Sequence, residues 1–285
     1  MKKIQLSATL AAAVKAARAA GKIMRANWHK PKHVNSAAAH DIKLELDVRC
    51  QALIEKILAA AFPLVPVLGE EGITGDMDAE YRWVIDPIDG TVNYFFEMPH
   101  AAVSIALQSK SDEWRVTSDK KSSRRRPQKL VTHHSSHVTV LGVIYDPFTD
   151  EIWTTVRGEP TRLNGKIVRV SNRSKIEDSV IAMGFSKSKD NLDQSLPHLI
   201  RLARRAKKIR IMGSAALELA YVASGRLDAY IERRINLWDV AAGSLLVENA
   251  GGEFYAPPAP GKYRYAMCAD NGRLRKKLQI GSLLK

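Results

Sequence analysis

Cysteine is scarce in this chain of 285 residues, which contains only Cys50 and Cys268. Two cysteines are too few for a disulfide framework, and they form no Cys-x-x-Cys or Cys/His spacing typical of a zinc site. No apolar run reaches the roughly 18 to 20 residues that a membrane-crossing helix needs. The N-terminus superficially resembles a secretory signal, but polar residues interrupt its apolar stretch. We therefore expect a cytoplasmic protein that makes no membrane contact.

Acidic residues are also in short supply. The chain has 30 Asp and Glu against 44 Lys and Arg, a formal net charge of +14. Such a charge attracts polyanions and phosphorylated molecules, although it does not identify a reaction. With 45% hydrophobic and 26% charged residues the composition is globular, which excludes disorder of the whole chain. The length allows two domains, and we expect two halves of one unit, at 1–175 and 176–285.

One segment concentrates the positive charge. Residues 109–138 contain eight lysines and arginines against three acids and few apolar residues. The segment is too polar for a core and longer than an ordinary connection, which predicts a long hairpin or a disordered loop. It is either a solvated insertion or, over residues 110–137, a polybasic contact for RNA or an acidic partner.

Hydrophobic periodicity predicts the secondary structure. Apolar residues at three- and four-residue spacing indicate helices, short β-branched runs indicate strands, and a polar stretch at 30–39 indicates an exposed loop. After residue 175 strands alternate with helices, as in a layered α/β half. The expected helices are 6–28, 46–61, 192–208, 214–224 and 240–250, and the expected strands are 81–86, 101–108, 139–145, 179–185 and 227–231.

Three acidic clusters stand at the ends of these elements. They are Gly69-Glu70-Glu71-Gly72, Asp86-Pro87-Ile88-Asp89-Gly90-Thr91 and Leu237-Trp238-Asp239. Mg²⁺ prefers carboxylates, carbonyls and waters, which the clusters can supply. Pro87 is expected to end the strand in a turn, and Gly90 and Thr91 to open a helix whose free N–H groups favour phosphate.

Each cluster has a simpler explanation when it is taken alone. Asp-Pro and Asp-Gly are ordinary turn dipeptides, so 86–90 can be a plain loop. Asp239 can be the N-cap of the helix that follows it. The argument for a site that binds metal and phosphate therefore depends on the combination of the clusters.

Together these residues resemble the inositol monophosphatase family of metal-dependent sugar phosphatases. The Gly-Glu-Glu cluster at 69–71, the Trp-Val-Ile-Asp-Pro-Ile-Asp-Gly-Thr run at 83–91 and the Trp-Asp at 238–239 match the family's signatures in order and spacing. The stretch Gly213-Ser214-Ala215-Ala216 matches too, as does Glu232, seven residues before Asp239. Apart from the basic segment, the resemblance covers nearly the whole chain.

The resemblance implies an α/β (α+β) fold, the layered αβαβα sugar-phosphatase sandwich, with an N-terminal α+β half, a C-terminal α/β half and the site between them. It also implies a homodimer, lithium inhibition, and two or three Mg²⁺ ions as cofactors. The implied metal ligands are Glu70, Asp86, the Ile88 carbonyl, Asp89 and Asp239. The residues implied to orient the attacking water are Glu70, Thr91 and Asp47. The implied substrate contacts are Asp89, Gly90, Thr91, Gly213, Ser214, Ala215, Glu232 and Asp239.

The implied activity is hydrolysis of inositol 1-phosphate, or of a similar small polyol phosphate, by a water that the metal ions activate. Alternative substrates are histidinol phosphate, fructose 1,6-bisphosphate and 3′-phosphoadenosine 5′-phosphate. Glu232 favours inositol phosphate, because a carboxylate suits a neutral hydroxylated molecule. A different function, reported for some bacterial members of the family, is binding of RNA or the transcription machinery.

The sequence departs from the family before Asp47. The family usually has a threonine-containing segment there, whereas this chain reads Asp41-Ile-Lys-Leu-Glu-Leu-Asp47. The lysine that the family carries in the preceding loop can correspond to Lys30, Lys32 or Lys43. Asp47 itself can be a helix N-terminal acid instead of a residue of the third metal site.

Overall fold

The chain folds into five layers in the order α, β, α, β, α. A computed structural model describes residues 5–38, 41–110, 137–185, 189–281 and 283. The helices are α1 (Leu6–Ala26), α2 (Glu45–Ala61), α3 (Thr91–Phe95), α4 (Lys189–Ala203), α5 (Ala215–Ala223), α6 (Leu237–Asn249) and α7 (Arg275–Leu278). The strands are β1 (Val34–Ala38), β2 (Asp41–Leu44), β3 (Val67–Gly69), β4 (Gly72–Thr74), β5 (Tyr81–Asp89), β6 (Ala102–Ser109), β7 (Val138–Asp146), β8 (Glu151–Val156), β9 (Arg162–Leu163), β10 (Lys166–Ile167), β11 (Val180–Gly184), β12 (Lys208–Arg210), β13 (Ala229–Asn236), β14 (Glu253–Tyr255) and β15 (Arg264–Asp270).

Two sheets form the β layers. The first has eight strands in the order β10-β9-β8-β7-β6-β5-β3-β4 and is antiparallel except for the β3–β5 pair. The second has five strands in the order β12-β11-β13-β15-β14, with β11 parallel to both of its neighbours. This layered α+β arrangement is the predicted fold class.

Helices cover the first sheet, so its central strands β5, β6 and β7 are buried along almost their whole length. α1 and α2 pack on the outer face of the first sheet, and α5 and α6 fill the layer between the sheets. α1 lies close to β7 because its buried face is mostly alanine and glycine; a Cβ at Gly21 would come within 2.5 Å of the Tyr145 ring. Among the described residues no helix is both long and apolar enough to cross a membrane.

The stretch at 30–39 is only partly the loop that its polarity predicts. Val34–Ala38 forms β1, which pairs antiparallel with β2 as a separate two-stranded sheet. This hairpin leads directly into α2, whose first turn carries Glu45 and Asp47, acids that suit the positive end of the helix dipole. Periodicity missed the strands because they are only five and four residues long.

Pro87 does not end its strand, contrary to the prediction. β5 continues to Asp89, and its pairing with β6 shifts register between Asp86 and Asp89. A strand accepts proline at such a bulge, where the ladder does not need its missing N–H.

Two helices of the C-terminal region have other bounds than predicted. α4 ends at Ala203, not at residue 208, because Lys208 begins β12 and pairs with Val180. α6 begins at Leu237, not at Val240. The basic segment joins the paired ends of β6 and β7, where Ser109 lies opposite Val138, and its residues 111–136 lie outside the described part of the chain.

Candidate active site

A cavity of about 460 Å³ opens where β5, β11 and β13 meet the N-terminal ends of α5 and α6. Its size is in the range of small-molecule sites. Every residue predicted for the site lines it except Asp47. The predicted residues in its wall are Glu70, Asp86, Ile88, Asp89, Gly90, Thr91, Gly213, Ser214, Ala215, Glu232 and Asp239.

Three aspartates converge at one end of this cavity. Asp86 and Asp89 come from the bulged end of β5, and Asp239 comes from the first turn of α6. One carboxylate oxygen of each lies within 4.8 Å of those of the other two. Carboxylate oxygens at this spacing suit a hard divalent cation such as Mg²⁺.

Asp239 occupies the third position of α6 and not the N-cap, so the N-cap alternative is wrong. Asn236 is the N-cap residue, and its backbone N–H donates to Asp239 Oδ2 at 2.8 Å. The contact holds one oxygen of Asp239 against the helix end. Asp239 therefore stabilises the helix and also belongs to the acid cluster.

Asp89 connects the two halves of the chain. It accepts hydrogen bonds from Ser214 Oγ at 2.5 Å, from the Ala216 N–H at 2.7 Å and from the Ala215 N–H at 3.2 Å. These groups form the first turn of α5, where backbone N–H groups have no partner inside the helix. An acid from β5 thus caps a helix more than 120 residues later in the chain.

Burial raises the pKa of the carboxyls in this cluster. Desolvation raises the pKa of Asp89 to about 6 against the lowering effect of its hydrogen bonds. The pKa of Asp86 and that of Asp239 lie well above the ordinary value because of desolvation and then the neighbouring Glu70. A divalent cation would supply the positive charge that keeps these groups ionised, so the donor set fits Mg²⁺.

Glu70 lies in the turn between β3 and β4, and its backbone N–H donates to the Ile85 carbonyl at 3.1 Å. Desolvation, followed by the charge of Glu71, raises the pKa of Glu70 to about 7. Thr91 faces the same cavity and donates its hydroxyl to the Ile88 carbonyl at 2.9 Å. Both residues therefore stand where a water in the cavity can meet them.

Gly90 is required by geometry between β5 and α3. Its φ of 91° lies in the left-handed region, and a Cβ there would come within 2.9 Å of the His100 carbonyl oxygen. Any side chain would be both strained and crowded against backbone. The close approach keeps the Gly90–Thr91 backbone at the cavity wall.

Asp47 lies behind the cavity, at the third position of α2. The Leu44 N–H donates to its Oδ2 at 2.7 Å, which is the contact expected of a helix N-terminal acid. Its Oδ1 is buried and finds no hydrogen-bond partner among the described residues. Burial raises the pKa of Asp47 to about 8; Glu70 and Glu71 add to the rise, and Lys43 opposes it. Its role towards a metal remains a prediction.

Glu232 also lines the cavity, and it comes from β13. Tyr230 donates its hydroxyl to Glu232 Oε2, and burial raises the pKa of Glu232 to about 7. The opposite residue on β11 is Gly184, where a Cβ would fall within 2.0 Å of Glu232 Oε2. A glycine on the neighbouring strand thus makes room for this carboxyl.

Sequence reasoning missed Glu218, a buried acid that also lines the cavity. It lies in the first turn of α5 and accepts the Met212 N–H at 3.1 Å. Burial, followed by the charge of Glu232, raises the pKa of Glu218 well above its ordinary value. The sequence does contain an indication of this site residue, since an acid inside the apolar run Ala-Ala-Leu-Glu-Leu-Ala is unusual.

Asn93 was missed as well. Its side-chain Nδ2 donates to the His100 carbonyl at 2.9 Å, to the Met212 carbonyl at 2.8 Å and to the Gly213 carbonyl at 3.3 Å. The amide therefore ties α3, which follows the bulged strand, to the loop that precedes α5. An asparagine at this position carries no sequence signal, because its partners are backbone carbonyls and two of them are about 120 residues away in sequence.

Comparison with known proteins agrees with this geometry. The profile of the inositol monophosphatase family matches residues 5–113 and 131–271, and the gap falls inside the basic segment. Inositol monophosphatase 1 of Solanum lycopersicum is 34% identical over 87% of this chain and 84% of its own length. Nus factor SuhB of Xylella fastidiosa is 37% identical over 87% of this chain and 82% of its own length.

Solved structures of the same kind superpose over nearly the whole chain. The extragenic suppressor protein suhB of Bartonella henselae gives a TM-score of 0.81 at 31% identity, covering 98% of this chain and 99% of its own. Inositol monophosphatase of Anabaena gives a TM-score of 0.75 at 32% identity, covering 96% of this chain and 94% of its own.

Proposed function

The chain belongs to the inositol monophosphatase family, and from this we propose that it is a Mg²⁺-dependent phosphatase that converts inositol phosphate and water to inositol and phosphate. The observation that carries the proposal is the convergence of Asp86, Asp89 and Asp239 in a cavity that also contains Glu232. The aspartates suit a cation and its phosphate ligand, and Glu232 suits the hydroxyl groups of a polyol.

The residues that would hold Mg²⁺ are Glu70, Asp86, the Ile88 carbonyl, Asp89 and Asp239. All offer oxygen ligands, and all line the cavity. When bound, Mg²⁺ would neutralise phosphoryl oxygens, acidify water and stabilise a departing alkoxide. Hydrolysis of a phosphate monoester depends on such help because it is extremely slow without a catalyst.

Glu70 and Thr91 would orient the attacking water. The Thr91 hydroxyl donates its proton to the Ile88 carbonyl, so the lone pairs on Thr91 Oγ remain to accept a hydrogen bond from water. Glu70 would offer a carboxylate oxygen that accepts a hydrogen bond from that water and orients it. Asp47, placed behind Glu70, would support it through the electrostatics of the site.

The substrate would lie across the cavity. The backbone N–H groups of Gly90 and Thr91 would donate to the phosphate. The polyol would meet Gly213, Ser214, Ala215, Glu232, Asp89 and Asp239. A carboxylate such as Glu232 accepts hydroxyl donors and repels a second phosphate, which favours a singly phosphorylated polyol over a bisphosphate.

The test is phosphate release from inositol 1-phosphate, histidinol phosphate, fructose 1,6-bisphosphate and 3′-phosphoadenosine 5′-phosphate, each with Mg²⁺ and with chelator. We expect turnover that chelator abolishes and a preference for inositol 1-phosphate. Preference for another of these substrates would keep the mechanism and change the substrate. Chelator-resistant turnover, or none on any substrate, would contradict the proposal.

A second candidate function is binding of RNA or the transcription machinery. Two observations favour it: the net charge of +14 with its basic segment, and the similarity to proteins named Nus factor SuhB. A polybasic segment binds phosphate backbones through charge, so this binding would weaken steeply with salt. Nothing in that function requires loss of the phosphatase site.

A homodimer is the assembly that we propose. Large apolar side chains are exposed at Val92 and Ile211, which line the cavity, and at Phe96 and Met98. Exposed apolar residues that form a patch often mark interfaces. Sedimentation should give twice the chain mass, and Phe96→Glu should shift the measured mass towards that of the monomer.

The proposal also includes a cytoplasmic location and inhibition by lithium. Cell fractionation would test the location, and a LiCl titration of turnover would test the inhibition.

A further inference from the structure

Three stretches of the C-terminal region are rich in basic residues and contain no acid. Residues 171–175, 201–210 and 273–277 hold two, six and four lysines or arginines respectively, and no aspartate or glutamate. Most of these bases are exposed, and we call the exposed ones the basic face. Like charges crowded on one surface repel one another, so such a surface gains free energy when an anionic partner covers it.

Few of these bases are neutralised within the chain. Arg173 pairs with Asp228 and Arg275 pairs with Asp270, each at 2.7 Å. The other bases of the three stretches form no ion pair with any residue that the structure describes. The basic face therefore retains nearly all of its positive charge.

The three stretches meet in the folded chain. Arg201 Nη2 donates to the Gln279 carbonyl at 2.6 Å, and Arg205 Nη1 donates to the Lys277 carbonyl at 3.3 Å, so the end of α4 lies against α7. The Lys277 ammonium donates in turn to the Ser174 carbonyl. The bases thus belong to one continuous surface.

This surface lies on the side of the second sheet that faces away from the cavity. Leu202 of α4 and Leu278 of α7 pack in one buried cluster with Ile231 of β13. Tyr230, the preceding residue of β13, points to the opposite face, where it packs with α5 and α6 and lines the cavity. α4 and α7 therefore form the outermost helical layer.

The basic face continues into an apolar stripe on α4. Leu196 and Ile200 are four residues apart on this helix, and they are 40% and 52% exposed. Arg204 follows after four more residues, and its backbone N–H donates to the Ile200 carbonyl at 3.2 Å as in a helix. The two apolar side chains and the first exposed base therefore lie on the same side.

This combination suits a protein partner better than a nucleic acid. Aliphatic side chains gain from contact with aliphatic groups, and arginine is enriched in protein interfaces. Single-stranded RNA binds on aromatic side chains on which its bases stack. The three basic stretches contain no Phe, Tyr or Trp.

We propose that the basic face, together with Leu196 and Ile200, is a docking site for an acidic amphipathic segment of another protein. Carboxylates of the partner would meet the unpaired bases, and its aliphatic side chains would cover the apolar stripe. The residues of this surface belong neither to the cavity wall nor to residues 109–138. The inference therefore does not depend on the phosphatase proposal.

The test is fluorescence anisotropy of a labelled, helix-forming peptide of glutamate and leucine, titrated with the full chain at low and moderate salt. We expect saturable binding that weakens with salt, because salt screens exposed charges. The triple variant Arg204→Glu, Lys207→Glu, Lys276→Glu should weaken binding by at least about tenfold, since it places like charges opposite the peptide.

The matched control is the triple variant Lys15→Glu, Lys22→Glu, Lys56→Glu. These lysines are exposed on α1 and α2, which cover the first sheet, and their reversal changes the net charge by the same amount. Peptide binding should stay at the wild-type level. An equal loss in both triple variants would mean that net charge alone attracts the peptide, and would overturn the proposal.

The apolar stripe has its own test. Ile200→Ser should weaken binding of the glutamate–leucine peptide by about threefold and leave binding of a polyglutamate peptide unchanged. Unchanged binding of both peptides in this variant would contradict the proposal, and it would decide even if the basic-face triple variant failed to fold, as judged by circular dichroism.

Two further results would overturn the inference. One is a wild type that binds neither peptide. The other is a basic-face triple variant that loses binding of a short RNA and keeps that of the peptide, which would assign the surface to nucleic acid. Phosphate release from inositol 1-phosphate should be the same in all these variants, so neither result bears on the phosphatase proposal.

Discussion

Asp89 serves two purposes that a single carboxylate seldom combines. It caps the start of α5 with three hydrogen bonds, and it stands in the aspartate cluster that is proposed to hold Mg²⁺. The amide of an asparagine has the same shape but no negative charge, and it can accept hydrogen bonds at only one of the two positions where Asp89 accepts them, so the substitution removes the ligand charge and also weakens the cap of α5.

Replacing Asp89 with Asn should reduce Mg²⁺-dependent turnover by about 1,000-fold, because a metal ligand and its charge are lost. The chain should stay folded. In the wild type, Mg²⁺ at 100 times its Kd should raise the free energy of unfolding by about 2.7 kcal/mol, and the gain should be smaller in the variant. Turnover assays and urea unfolding measure the two effects. Wild-type turnover in the variant would contradict the assignment.

The raised pKa values give the metal-free protein a predictable pH dependence. Asp89, Glu70 and Asp47 have a pKa of about 6, 7 and 8 in the folded chain, each above its value in an unfolded chain. The folded state therefore binds more protons between pH 4 and 8, and its stability falls as the pH rises through that window. A tenfold change in proton affinity corresponds to about 1.4 kcal/mol, so we expect the three groups together to lower the free energy of unfolding by several kcal/mol across this window.

Urea unfolding in chelator at pH 5.5 and pH 8 measures this loss, and saturating Mg²⁺ should largely remove it because the cation favours the ionised carboxylates. A metal-free protein that is more stable at pH 8 than at pH 5.5 would contradict the prediction.

At the scale of elements, the end of β5 shows what a sequence can and cannot predict. The acids and glycine of the 86–90 stretch have distinctive chemistry, so their shared location could be predicted from the sequence. The continuation of the strand through Pro87 could not, because it depends on a register shift against β6. The contacts of Asn93 with the Met212 and Gly213 carbonyls could not be predicted for a similar reason, since these partners are about 120 residues away in sequence.

A substitution of Asn93 tests the contact between α3 and the loop that precedes α5. Asn93→Asp keeps the size of the side chain but turns its donor into a charged acceptor facing the Met212 and Gly213 carbonyls. We expect KM for inositol 1-phosphate to rise about tenfold, an effect of about 1.4 kcal/mol. KM for p-nitrophenyl phosphate, which has no polyol, should change much less.

Asn249→Asp is the matched control. Asn249 Nδ2 donates to Thr155 Oγ1 and to the Val156 carbonyl, away from the cavity. Loss of these hydrogen bonds should lower the free energy of unfolding by roughly 1 to 3 kcal/mol, about as much as Asn93→Asp does. It should not change KM selectively for either substrate. Equal KM shifts for both substrates in Asn93→Asp would argue against a role in placing the polyol loop.

At the scale of the whole molecule, the two candidate functions fall on different parts of the chain. The site residues lie in the folded layers, whereas the basic segment leaves from paired strand ends at Ser109 and Val138. Deletion of residues 110–137 should therefore leave phosphate release from inositol 1-phosphate within about twofold.

The same deletion should abolish salt-sensitive binding to RNA, because it removes most of the segment's positive charge. Phosphate release and filter binding at low and moderate salt measure the two effects. Loss of turnover would show that the segment supports the site. Unchanged RNA binding would place any polyanion contact elsewhere on the surface.

The cap that Asp89 places on α5 also bears on how the chain assembles as it is synthesised. Its oxygens and their partners in α5 are separated by 125 to 127 residues. Contacts of such long sequence separation form late in folding, because the loop must close before they add stability. β5 leaves the ribosome long before the helix that it caps and before α6, which carries Asp239, so the acid cluster can be completed only after α6 has packed against the first sheet.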